Sequence, residues 1–243
     1  MEKRNIVEYN FDAFIKEAEK ISITFTEQQL EQFRMYYKML VEKNKVMNLT
    51  GITEWDEVLE KHFLDSISLV RAISLDQNLT VMDMGTGAGF PGIPLKIAFP
   101  NLKVTLADSL NKRVLFLQEV IDALKLENIE AIHGRAEDLA RDKKYREKYD
   151  LSVSRAVANL STLSEYCLPF VKIGGQFVSY KSGAIEEEVE SSKKAISILG
   201  GKINNVVKFE LGESGRSFVI IDKVKATQKT YPRKAGTPSK NPL

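Results

Sequence analysis

Residues 81–93 read Val81-Met82-Asp83-Met84-Gly85-Thr86-Gly87-Ala88-Gly89-Phe90-Pro91-Gly92-Ile93, and the fold of the whole chain turns on this stretch. Val81 and Met82 close a short apolar run that reads as the first strand of a parallel sheet, and Asp83 stands where that strand runs out. Glycines follow at 85, 87, 89 and 92. A turn this rich in glycine admits positive φ angles and lets a ligand lie against bare main chain. Pro91 suits the first turn of a helix, where a missing N–H costs nothing. The stretch therefore predicts strand, open loop and helix N-terminus, arranged to hold a nucleotide-like ligand.

The ligand class follows from the glycine spacing. A dinucleotide loop needs GxGxxG, its third glycine letting the helix pack on the strand beside a pyrophosphate. Here the third glycine comes one residue early, giving GxGxG from Gly85, with Phe90 where the dinucleotide pattern has its last glycine. No Gly-Lys-Ser or Gly-Lys-Thr follows, which excludes a Walker loop. An acid two residues before GxGxG is similar to the S-adenosylmethionine (SAM) loop of the Rossmann-like methyltransferases. SAM carries no phosphate, so the loop need only admit its methionine part, while carboxylates meet its ammonium and ribose hydroxyls. The competing reading is a glycine-rich turn in any α/β enzyme.

Composition bounds the rest. At 243 residues and 43% hydrophobic content, the chain is one substantial domain with room for a smaller appendage. A single cysteine, Cys167, excludes an internal disulfide framework and fits a reducing compartment; it reads as a buried helix residue. The two histidines, His62 and His133, lack metal-ligand spacing, so no metal is expected. The N-terminus carries Glu2, Lys3, Arg4 and Glu8, and no apolar run approaches the roughly 18 residues of a membrane span. The expectation is a soluble cytoplasmic protein with no membrane partner. A net charge of +2 neither requires nor forbids nucleic acid, so the distribution of charge has to decide.

Residues 1–74 read as an N-terminal helical region packed on the core. Thr26 with Gln29 predicts a capping box, followed by Leu30, Phe33, Tyr37, Leu40 and Val41 on one helical face. Phe33, Tyr36 and Tyr37 read as core rather than as a stacking platform for bases. Thr53 reads as the next N-cap and His62 to Arg71 as a helix with Phe63, Ile67 and Val70 inward. His62 and Asp65 read as local hydrogen-bonding partners rather than catalysts.

Residues 75–224 alternate strand and helix, which argues for a parallel sheet covered on both faces. Leu102 to Ala107 reads as the second strand, and Asp108 at its end falls about 20 residues past the glycine loop, where an acid reaches ribose hydroxyls. The alternative for Asp108 is a capping or surface role. Ile129 to His133 reads as the third strand, after which main-chain groups at Ala136 and Glu137 face the ligand crevice. Tyr149 to Ser154 reads as the fourth, ending at Arg155, then Gln176 to Tyr180 as the fifth. A helix follows over Ala184 to Leu199, with Ile203 to Phe209 and Phe218 to Asp222 as a closing hairpin.

Chemistry belongs at the end of the fourth strand. Amino-group methyltransferases of this fold carry Asn/Asp-Pro-Pro-aromatic there, whereas this chain has Ser154-Arg155-Ala156. Cytosine-C5 enzymes need a cysteine nucleophile, and Cys167 lies well past the strand. What remains is an acceptor that needs neither base nor covalent catalysis. Guanine N7 is one, since its lone pair attacks a sulfonium methyl with no proton to remove, so catalysis reduces to positioning and electrostatics. An arginine suits the N7/O6 edge; Arg155 suits the cofactor carboxylate equally, or a structural ion pair.

Residues 225–243 form a basic, Pro-rich tail. Past Asp222 there is no acid, but there are Lys223, Lys225, Lys229, Arg233, Lys234 and Lys240. Such a segment cannot fold alone and should lie on something anionic or on the protein's own surface.

The chain resembles the bacterial 16S ribosomal RNA guanine-N7 methyltransferases called RsmG, or glucose-inhibited division protein B. The resemblance rests on Asn48-Leu49-Thr50, His62 with Asp65-Ser66, the block Asp83 to Pro94, Asp108-Ser109 with Lys112-Arg113, and Ser154-Arg155-Ala156. It extends into the tail through Tyr231-Pro232-Arg233, Gly236, Pro238, Lys240 and Pro242-Leu243. It implies a class I, Rossmann-like α/β fold: a seven-stranded, mostly parallel sheet with helices on both faces, preceded by the N-terminal helical region. It implies SAM as cofactor, S-adenosylhomocysteine as product and no metal. The implied partner is 16S rRNA, in the small ribosomal subunit or its precursor, with no obligate protein partner. Carried over, Gly85 and Phe90 line the SAM pocket, Ala136 and Glu137 meet the adenosyl part, and Arg155 lies at the active centre; Asp83, Gly87, Gly89 and Asp108 join the cofactor contacts on the reading of the loop and strand end. Arg233, Lys234 and Lys240 become candidate phosphate contacts. Two rivals remain at this level: a nicotinamide-dependent oxidoreductase, disfavoured by the early third glycine, and a non-catalytic rRNA-binding assembly factor.

Overall fold

Seven strands form one sheet: β1 (Thr80–Met84), β2 (Lys103–Asp108), β3 (Ile129–His133), β4 (Tyr149–Arg155), β5 (Val171–Ser182), β6 (Gly201–Leu211) and β7 (Ser214–Lys223). The computed structural model describes residues 9–155 and 158–243; Glu2, Lys3, Arg4 and Glu8, and Ala156 of the Ser-Arg-Ala motif, lie outside the described residues. The strand order is β3-β2-β1-β4-β5-β7-β6, with β7 antiparallel between β5 and β6 and the rest parallel. From β1 the chain winds outward through β2 and β3, then returns to place β4 on the other side of β1. The order reverses there, and such a reversal opens a crevice at the carboxyl ends of the strands. The registers Asp83↔Leu106, Asp83↔Val153 and Arg155↔Tyr180 bring the acid and the arginine to that edge.

Both faces of the sheet are covered, which is why β1 is a continuous apolar run rather than an alternating one. On one face, α1 (Asp12–Glu19), α2 (Glu27–Met47), α5 (Gly92–Ala98) and α6 (Asn111–Ala123) share a single apolar core with the strands. On Phe63, Tyr36 of α2 stacks with ring centres 5.4 Å apart and Phe33 packs at a tilt with centres 4.9 Å apart. The N-terminal helices are thus built into the sheet's own core. On the other face, α8 (Leu160–Cys167) and α9 (Glu186–Ile198) cover Met82, Met84 and Phe177. The predicted capping box of α2 is present, with Thr26 and Gln29 bonding each other's main chain.

Several boundaries differ from the sequence reading. The helix expected over His62 to Arg71 is the second half of a longer passage: α3 (Trp55–Val58), a π-helical stretch (Leu59–Leu64), α4 (Asp65–Ile67) and a 3-10 turn (Ser68–Arg71). Its N-cap position is Glu54, not Thr53. The π-helical stretch carries one more residue per turn than the 3.6-residue periodicity assumes, so that reading misplaces its boundaries. β5, β6 and β7 each run past their predicted ends because the antiparallel pairing continues to Ser182↔Arg216 and Leu211↔Ser214.

The tail folds back over the molecule. Lys223, counted above among the cations past Asp222, is the last residue of β7 and is fully buried, donating to the Leu168 carbonyl and to Thr227 Oγ1. Arg146 reaches the carbonyls of Thr227, Gln228 and Tyr231, and Arg141 reaches that of Pro232. The chain ends with α10 (Thr237–Lys240), whose Pro238 is buried and accepts from Thr162 Oγ1 of α8.

Candidate active site

At the carboxyl end of β1 the Asp83 carboxylate is completely buried. Its Oδ2 accepts from Thr86 Oγ1 at 2.6 Å and from the Gly92 amide at 2.8 Å, closing the glycine loop onto the first turn of α5. Burial raises its pKa to about 6 against the pull of those two bonds and of Arg155. Asp83 does not line the crevice, a correction to its predicted place among the cofactor-binding residues. The carboxylate is consumed in holding the loop, as a helix N-terminus demands of a nearby acid. Gly89 needs the same correction. A side chain there would collide with Tyr36 and Ile93, so its bareness serves the packing of the loop on α2 rather than ligand access.

The other loop positions face a cavity of about 630 Å³, bordered by Gly85, Gly87, Phe90, Asp108, Ala136 and Glu137. Gly87 has φ +63°, a left-handed conformation that favours glycine, and open space where a Cβ would stand. Its amide donates to Asp108 Oδ2 at 3.0 Å, while Asp108 Oδ1 accepts from the Leu110 amide, so this acid pins the loop to the end of β2. Glu137, in α7 (Ala136–Leu139), is buried and accepts from the Gly236 amide at 2.9 Å. Gly236 borders the cavity as well.

Arg155 closes the far side. Its Nη1 donates to Asp65 Oδ2 at 2.8 Å, its Nη2 to His62 Nδ1 at 3.3 Å, and its guanidinium lies 4.9 Å over the Phe90 ring. The same Nδ1 lies 3.2 Å from the Lys61 carbonyl, and Nε2 lies 2.8 Å from Thr50 Oγ1. Burial, with the Arg155 charge adding to it, lowers the His62 pKa to about 4 and keeps the ring neutral. That ring stacks on Phe90 with centres 4.5 Å apart. Asp65 is shared, since Arg216 Nε of β7 donates to its other oxygen at 3.0 Å.

A second cavity of about 470 Å³ adjoins the first, lined among others by Lys61, Asp65, Tyr180, Lys181, Glu188 and Arg216. Among the described residues, only His62 and Arg155 border both cavities. The reading of His62 and Asp65 as local partners therefore understated them: they orient Arg155 across 93 and 90 residues of chain. Arg216 went unread altogether. Nothing in its Gly-Arg-Ser context marks it, because its partner Asp65 lies 151 residues earlier in the chain.

One further expectation changes. Arg233 is not free for phosphate: Nε and Nη2 fork onto the Glu165 carboxylate, whose Oε1 also accepts from the Arg233 amide at 2.7 Å. Lys234 and Lys240 are exposed. Cys167 is fully buried, as read, and burial pushes its thiol pKa up, so it offers no thiolate. Among the described residues no cluster of His, Cys, Asp or Glu has the geometry to hold a metal ion, and no helix is long and apolar enough to cross a membrane.

A family model described as GidB, rRNA small subunit methyltransferase G, matches residues 29–218. The chain belongs to the GidB family. Ribosomal RNA small subunit methyltransferase G of Lachnoclostridium phytofermentans is 53% identical over 95% of this chain and 96% of its own length. The Bacillus subtilis protein of the same name is 49% identical over 96% and 99%. Among solved structures, a SAM dependent methyltransferase from Aquifex aeolicus matches with TM-score 0.53 at 20% identity, covering 74% of this chain and 97% of its own. M. jannaschii TYW2, in complex with AdoMet, matches with TM-score 0.53 at 19% identity, covering 67% of this chain and 76% of its own. These likenesses establish the Rossmann-like methyltransferase fold for this GidB chain. The GidB match stops inside β7, short of the tail.

Proposed function

We propose that this GidB-family chain transfers the methyl group of SAM to N7 of one guanine in the decoding-region loop of 16S rRNA, presented in the small ribosomal subunit or its precursor. One observation carries the reading: every acid and imidazole bordering the two cavities already has a donor or acceptor. Asp108 is held by Gly87 and Leu110, Glu137 by Gly236, Asp65 by Arg155 and Arg216, Glu188 by Lys181, and His62 by Thr50 and Arg155. A site without a free base suits an acceptor that loses no proton, and guanine N7 is such an acceptor.

The first cavity fits SAM. Gly85 and Gly87 leave bare main chain beside it, and the Asp108 and Glu137 carboxylates are acceptors for the hydroxyl and amino donors of an adenosyl group. When bound, SAM supplies an electrophilic methyl on a positively charged sulfur, leaving S-adenosylhomocysteine. Arg155, between the cavities, orients the acceptor by donating to the N7/O6 side of the base or to O6 alone. Phe90 supports the guanidinium from below, and the neutral His62 holds it without adding a second charge. Lys61, Lys181 and Arg216 give the second cavity a cationic lining suited to a nucleotide, and the exposed Lys234 and Lys240 are phosphate contacts farther out.

The test is methyl transfer from labelled SAM to small-subunit RNA and particles from cells lacking this gene, followed by nucleoside analysis. Label in 7-methylguanosine is the expected result. Label in another nucleoside retains SAM and overturns the guanine-N7 assignment.

A further inference from the structure

The tail is expected to lie on something anionic or on the protein's own surface, and within 231–238 the Arg233 side chain and the Gly236 amide are both bonded to buried acids of the core. We infer that this segment is a working part of the cofactor site, resting on the reading of the first cavity as the SAM site. Gly236 itself borders that cavity, in the left-handed conformation, with φ +80°. Its amide is the donor that holds Glu137 Oε1, and Glu137 also borders the cavity. α7, which carries Glu137, is four residues long and cannot fix its own side chains.

What holds Gly236 in place is Arg233. Its side chain makes a two-pronged ion pair with Glu165 of α8, a carboxylate only 1% exposed, and its amide donates to the same group. Forked arginine–carboxylate pairs combine strength with fixed geometry. The next residue of α8, Tyr166, borders the cavity too. Arg233 and Glu165 are therefore positioning residues: they dock the tail, the docked tail presents Gly236, and Gly236 aims the Glu137 carboxylate. Cofactor binding then requires the docked tail, and by linkage the bound cofactor strengthens docking. The apparent affinity falls in proportion to the fraction of molecules with the tail in place.

The full-length protein is tested with S-adenosylhomocysteine as the probe. Hydrogen exchange across 229–240 is followed with and without it, and its affinity is measured by calorimetry for wild type, Arg233→Ala and Arg233→Lys. Expected are slower exchange in the tail on binding and affinity weakened about tenfold in Arg233→Ala, as follows if about nine in ten tails are undocked. Arg233→Lys, which keeps one ion pair with Glu165, should recover part of that loss while affinity for the RNA without cofactor stays at the wild-type level. Wild-type binding with unchanged tail exchange overturns the inference, even if Arg233→Ala fails to fold. So does Arg233→Ala that binds the probe normally and loses RNA affinity, which would return Arg233 to the RNA. Failure of the underlying SAM reading looks different, because wild type itself then shows no binding.

Discussion

Asp83 shows how far a residue's chemistry depends on which way it points. The motif reading placed it against ligand; it is sealed behind the loop, with Oδ2 holding two donors and Oδ1 finding no partner among the described residues. Its folded pKa of about 6 lies above the ordinary 3.8, so the folded protein binds this proton more tightly than the unfolded chain. The associated stability is fully present below 3.8 and is lost as pH rises through about 6. Asp83→Asn removes that slope. Between about pH 4 and pH 7 the variant should gain on the order of 3 kcal/mol relative to wild type, read from denaturant midpoints; parallel curves would refute it. Arg155 gives the second prediction at this scale. Arg155→Lys keeps the charge and loses the planar fork that spans Asp65, His62 and the face of Phe90. Methyl transfer should drop about a hundredfold or more with circular dichroism unchanged, whereas near-normal turnover would remove Arg155 from the mechanism.

The glycine loop and α5 form the element that a motif search detects, and its glycines do different work. At Gly92 a Cβ would overlap Leu106 and crowd Asp83; at Gly87 it would meet nothing, though φ +63° remains costly for a side chain. Gly92→Ala should therefore destabilise the fold by about 2 kcal/mol or more. Gly87→Ala should cost about 1 kcal/mol in stability and lose a larger factor in cofactor affinity. Thermal melts paired with S-adenosylhomocysteine titrations separate the two, and equal effects at both positions would show that the loop acts as one unit. The strand ends β1, β2, β3 and β4 were legible from their apolar runs and the residues that stop them. Less legible were the π-helical stretch at Leu59–Leu64, whose period is not 3.6, and the lengths of β5, β6 and β7, set by mutual pairing.

For the molecule as a whole, Lys223 and the tail tie the far edge of the sheet to the crevice. Lys223 lies buried between the Leu168 carbonyl, Thr227 Oγ1 and Glu147, and burial lowers its pKa to about 8. Lys223→Met leaves those acceptors without their donor and should cost about 1–3 kcal/mol. It should also speed tryptic cleavage after Lys225 and Lys229, which mass spectrometry would register; unchanged cleavage would separate the tail from this anchor.

Local pattern was enough for the class of fold, the loop, the ends of the first four strands and the position of Arg155, because each depends on a run of apolar residues and on what interrupts it. Orientation was another matter. Which glycines face ligand and which face packing, whether Asp83 looks outward, and that Arg233 binds Glu165 all depend on side chains that meet only after the sheet has closed. The pairing of Arg155 with His62 and Asp65, and of Asp65 with Arg216, joins residues on β4, the N-terminal helices and β7. Contacts between distant parts of a chain carry no local periodicity, so the tertiary structure alone decided them.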